Sequence, residues 1–169
     1  MVYMKKMPIS QMKLHVGHME VAVANLIGWR ENVIVPNVYF GLGLRHEADL
    51  IVLDKSGRLT EIEIKCTLSD LKADFKKPHS HQSSIISRLV YAVPDKIVDY
   101  AKENIPPGAG LISVKWSDAR CEYMARWERM CRHKKTDPPG HKITTKLMAL
   151  GCMRIWTLKK KLNHISHSK

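Results

Sequence analysis

No run of apolar residues in the 169-residue chain approaches the roughly 18 needed to cross a bilayer, which excludes a helical membrane span. The opening "MVYMKKMPIS" has no apolar central segment of the kind a secretory signal carries, so the expectation is a cytoplasmic protein. Cysteine is sparse. Cys66, Cys121, Cys131 and Cys152 show no CxxC spacing, which fits free thiols in a reducing compartment. Cys121, Cys131 and Cys152 with His133 and His141 match no structural-zinc pattern, and no zinc site is expected there. Internal repeats and long low-complexity tracts are also missing. Acidic residues are scarce at one end: residues 115–169 hold fourteen Lys and Arg against four Asp and Glu, a net of +10, whereas residues 1–114 carry only +2. The whole chain is at +12 with a pI near 9.7. Such a balance points to a polyanionic partner, nucleic acid before an anionic membrane surface.

What is present is the composition of one ordinary domain, 44% hydrophobic and 26% charged. "HMEVAVANLIGWRE", 18–31, has apolar residues at helical spacing and predicts a helix ending near Gly28 or Trp29. "NVIVPNVYF", 32–40, reads as a strand with Pro36 at an edge or bulge. "ADLIVLD", 48–54, and "RLTEIEIKC", 58–66, read as strands joined by a three-residue turn with Gly57 left-handed. A short helix capped by Thr67 or Ser69 follows and stops at Pro78. Then come a strand at 87–93, a helix at 94–104 and a strand at 109–116. "RCEYMARW", 120–127, suggests an edge strand, and 142–164 a basic helix with Gly151 as its weak point. The order describes an α/β sandwich with mixed strands.

The hairpin register carries the chemistry. If Asp54 pairs with Arg58, Asp49 faces Glu63 and Glu47 faces Lys65. Glu47, Asp49, Glu61, Glu63 and Lys65 then all project to one side of the sheet. Carboxylates that close repel unless something positive lies between them. Lys65 is one candidate and a divalent cation the other. Glu20 sits beside the core-facing stripe of its helix, spaced i+3, i+4 and i+7 from Val23, Ala24 and Ile27, and needs a partner if buried.

Asp49 followed after 13 residues by Glu63-Ile64-Lys65, with an acidic residue on a preceding helix, resembles the PD-(D/E)XK nuclease core. The longer stretch "RHEADLIVLDKSGRLTEIEIKCTLSDLKADFKKP", 45–78, with "RLVYAVP", 88–94, and "GAGLI", 108–112, is similar to the MmcB-like family of small proteins assigned to bacterial DNA repair. The resemblance covers residues 15–125. It implies a restriction-endonuclease-like core, with a mixed sheet of four to five strands flanked by helices. It also implies Asp49 and Glu63 as ligands of Mg²⁺ or Mn²⁺ with the Ile64 carbonyl assisting, Lys65 orienting or activating water, and Glu20 as the helix-borne acid. Glu47 and Asp70 match acidic positions of the pattern without an assigned role. Ala48 stands where the motif name has proline, Cys66-Thr67 replaces small hydroxyl residues, and Pro78-His79 replaces an expected tryptophan.

The resulting expectation is a nuclease-like domain over 1–125 and, over 126–169, a basic helical extension packed on or continuing the same domain. Its function would be metal-dependent hydrolysis of DNA phosphodiesters in repair or processing. A catalytically silent DNA-binding module or accessory subunit on the same fold is the alternative. Lys72, Lys76 and Lys77 could meet phosphates, and Gln82 a base or a water. The expected partner is DNA, with a repair helicase, a second subunit or a second copy as further possibilities.

Overall fold

The structure is a computed structural model that describes residues 14–39, 42, 44, 46–76 and 83–167. Helix α1 (Val16–Ile27) begins where the His15 ring accepts from the Gly17 N–H, and ends at Gly28 with φ 86°. Strand β1 (Val33–Val38) leads to β2 (Ala48–Leu53) and β3 (Leu59–Ile64). Helix α2 (Leu68–Asp74) is capped by Thr67, whose side chain accepts from the Asp70 N–H. Strand β4 (Ile86–Pro94) runs through a 3-10 turn at Asp95–Ile97 into helix α3 (Val98–Asn104). Strands β5 (Gly110–Ser117) and β6 (Glu122–Arg129) precede the 27-residue helix α4 (His141–His167).

The six strands form one sheet in chain order, one more than the upper expectation because the segment near 120–129 completes an edge. β1–β2, β2–β3 and β5–β6 are antiparallel, whereas β3–β4 and β4–β5 are parallel. The parallel strands occupy the interior, where both faces can be covered. Pro36 lies in edge strand β1, where a missing ladder donor is tolerated. β6 passes through residue 125, so the sheet runs on into the stretch read as an extension packed on or continuing the same domain.

Side chains at even positions of β2–β5, among them Leu50, Ile62, Val90 and Ile112, pack on Met19, Ala22 and Val23 of α1. On the opposite face two apolar clusters form. Ile51, Leu53 and Leu59 join Leu147 of α4, while Leu89, Tyr91 and Leu111 join Leu71 of α2 and Val98 and Ala101 of α3. The charged positions of β3 lie on this second face, between the two clusters.

Candidate functional site

The hairpin pairs in the register counted from its turn, with Leu50 opposite Ile62 and Ile51 opposite Glu61. Gly57 at φ 75° closes it, and Asp54 accepts from the Gly57 N–H at 2.9 Å. Period-two alternation therefore sends Glu61, Glu63 and Lys65 to one face. All three are buried, Glu61 completely. In the sheet Glu61 is flanked by Ile51 and Leu89, and Glu63 by Tyr91.

Carboxylates in such surroundings require hydrogen-bonded or charged company. Lys65 Nζ donates to Glu63 Oε2 at 2.6 Å and lies 3.0 Å from Asp74 Oδ1. The Tyr91 hydroxyl donates to Asp74 Oδ2 at 3.1 Å. His46 Nε2 is 2.5 Å from Glu61 Oε1. Burial by itself would lower the Lys65 pKa, yet the charges of Glu63 and then Asp74 outweigh it and hold the ammonium above the ordinary lysine range. Burial, with the charge of Asp74 next, pushes the Tyr91 phenol up, so it remains a neutral donor.

Asp49 is held differently. β2–β3 pairing ends at Leu50 opposite Ile62, and the Ile64 N–H donates to Asp49 Oδ2 at 2.7 Å. The carboxylate is thereby fixed at the backbone between Glu63 and Lys65. Glu20, half-buried on α1, is raised by burial first and by the nearby Asp49 charge second. Cys66 is raised by burial and then by Asp70, Asp49 and Glu20. Asp70, exposed in the first turn of α2, accepts from the Cys66 N–H at 3.2 Å. Two groups of acids thus meet at the end of β3. One is buried, with Glu61, Glu63 and Asp74 around Lys65, and the other is more open, with Glu20, Asp49 and Asp70 near Cys66.

The remaining expected residues scatter. Glu47 is exposed and precedes β2, outside the ladder in which it would have faced Lys65. Lys72 and Lys76 are exposed, with Lys72 Nζ 5.1 Å from the Tyr100 ring centroid. Lys77 and Gln82 lie outside the described residues.

Sequence reasoning missed Asp74, Tyr91 and His46. Asp74 follows the buried Leu71 by three positions on α2, a spacing that puts both on one helix face. Tyr91 sits opposite Glu63 through a parallel pairing that no local spacing reveals. His46 approaches from the segment before β2 and had no readable signal. Among the described residues, His46, Glu61 and Glu63 bring three ligand atoms within 4.8 Å of one another.

Fold and site together define a small mixed α/β protein with a buried acid–lysine network at the end of a central strand. The chain belongs to the MmcB-like family: the family model, described as DNA repair protein MmcB-like, matches residues 7–161. No curated protein matches it. Among solved structures it is similar to the SPO1766 protein of unknown function from Silicibacter pomeroyi, with a TM-score of 0.61 and 22% identity. The match covers 90% of this chain and 94% of that one. At that identity the likeness shows the fold alone. Among the described residues no helix is long and apolar enough to cross a membrane.

Proposed function

We propose that the protein is a metal-dependent DNA nuclease of repair or processing, acting in the cytoplasm. The observation that carries this reading is the Glu63–Lys65 pair, buried mid-sheet with Asp49 fixed one strand away on the Ile64 N–H. Charges in such a place cost several kcal/mol per ion to desolvate, by order of magnitude. Replacing a buried ion pair by well-packed apolar residues is often neutral or stabilising, so a purely structural strand has no need of one. Membership of a family described by DNA repair and a net charge of +12 support a polyanionic substrate.

Asp49, Glu63 and the Ile64 carbonyl are all oxygen donors, the set that suits a hard ion such as Mg²⁺ or Mn²⁺. When bound, the ion supplies polarisation of a phosphoryl oxygen and a more acidic water. The chain's own part is positional. Lys65, held cationic, acts as a fixed hydrogen-bond donor and positive charge beside Glu63 rather than as a proton acceptor. Glu20, with its raised pKa, faces Asp49 from α1 and is placed to hold a water or a proton at the open side. His46–Glu61–Glu63 is a rival ligand set that shares Glu63, and its imidazole would favour Mn²⁺ or Zn²⁺ over Mg²⁺.

One observation favours the silent DNA-binding module instead: Lys65 is only 4% exposed and engages two acids at once. Cleavage of plasmid, linear, single-stranded and branched DNA, with Mg²⁺ or Mn²⁺ and a chelator control, separates the two readings. Chelator-sensitive cutting lost in Asp49→Asn supports the nuclease. Salt-sensitive binding without cutting supports the module.

A further inference from the structure

Helix α4 has no acidic residue and carries Lys142, Lys146, Arg154, Lys159, Lys160 and Lys161. Its first half is anchored on the sheet edge. Leu147 is fully buried with Val35, Val38 and Ile51. At Gly151 an added Cβ would come within 3.3 Å of Val35 Cγ2, and the Arg154 guanidinium donates to the Asn37 carbonyl at 2.6 Å.

Residues 152–164 are exposed throughout, yet the stretch is not polar. Ile155, Leu158 and Leu162 are each more than half exposed, and Met148 nearly so. Met148, Ile155, Leu158 and Leu162 are spaced seven, three and four apart, the a, a, d and a positions of a heptad seam. Lys159 and Lys161 flank that seam at its e and g positions. Met148, Ile155 and Leu158 form one wall of a groove of about 490 Å³ whose other wall is Trp29, Val33 and Pro36. Trp29 is itself 54% exposed. An apolar patch with charged borders on a soluble chain marks an interaction site.

The geometry points to this trough as the docking site for an amphipathic helix of a partner protein whose apolar stripe is bordered by acidic residues. Its two walls fit a rod, not a flat bilayer surface, and the lining is mainly apolar, with the Arg154 guanidinium already given to the Asn37 carbonyl rather than turned to a duplex phosphate. A second copy of the chain would set cations against cations along α4, the arrangement that e and g charges use to reject a pairing. Acidic borders on the partner match Lys159 and Lys161, which favours encounter and fixes register. This inference stands apart from the nuclease reading.

The test titrates the full-length chain with a labelled synthetic helical peptide carrying leucine at a and d and glutamate at e and g. A matching peptide with lysine at e and g is the control. The glutamate peptide should bind saturably and the lysine peptide should not. Ile155→Glu combined with Leu158→Glu should weaken binding by about tenfold or more, as loss of central apolar anchors does. Because both side chains are exposed, the thermal midpoint should stay unchanged. Lys159→Glu with Lys161→Glu should reverse the preference towards the lysine peptide. Absence of saturable binding, or binding that survives Ile155→Glu/Leu158→Glu, overturns the inference. So does a solution dimer abolished by Ile155→Glu, which would make the occupant a second copy. Adsorption to phosphatidylglycerol vesicles without peptide binding would place a membrane there instead.

Discussion

Lys65 is the cation that Glu63 and Asp74 share, at 2.6 and 3.0 Å. Removing it with Lys65→Ala takes away the ammonium both acids use. The expected cost is about 3–5 kcal/mol, read as a lower urea midpoint. Lost cleavage in that variant would therefore report on folding as well as chemistry. Asp49→Asn is the cleaner probe, because the amide oxygen still accepts from the Ile64 N–H while the charge disappears. Its stability should stay within about 1.5 kcal/mol of wild type. Glu61, Glu63 and Lys65 were legible in the sequence because strand alternation fixes which face each side chain takes. Asp49 was expected to face Glu63 on that same side, but the ladder stops at Leu50 opposite Ile62 and its carboxylate takes the Ile64 N–H, a contact that depends on where pairing ends. His46, Asp74 and Tyr91 were hidden for a related reason: their contacts join segments that only the tertiary fold brings together.

Among the elements, the hairpin depends on Gly57, whose φ of 75° has nothing within 4 Å of an added Cβ. Gly57→Ala should then cost only the left-handed backbone penalty, about 1–2 kcal/mol, measured by denaturant unfolding. Strands β5 and β6 are tied through Glu128, which accepts from Ser113 Oγ at 2.8 Å and Arg126 Nε at 2.6 Å, with Lys102 of α3 at 3.2 Å. Those partners, the Ser113 hydrogen bond foremost, pull its pKa from 4.5 to about 2. The folded state thus favours the carboxylate. The stabilisation is complete above pH 4.5 and is lost as the pH falls towards 2. Thermal midpoints measured across that window should fall less steeply in Glu128→Gln than in wild type. The elements themselves were largely legible from periodicity and turn residues. Gly151 was expected to weaken α4, yet the helix runs unbroken, because the glycine marks a close approach to Val35 rather than a break.

For the whole molecule, the basic excess in residues 115–169 predicts DNA binding that weakens steeply with salt. The logarithm of the binding constant should fall against log salt with a slope of about −0.9 for each phosphate contacted. Charge was readable from composition, but the sequence could not show that α4 sets its apolar residues beside β1 in a trough. The proposed nuclease activity requires that Asp49, Glu63 and Lys65 form a catalytic centre. Its most direct measurement is plasmid and branched-DNA cleavage by wild type and Asp49→Asn at matched stability, with Mg²⁺ or Mn²⁺ and then with chelator. Cutting by wild type alone, abolished by chelation, is the predicted result. Equal cutting by both proteins, or none by either alongside intact DNA binding, would contradict it.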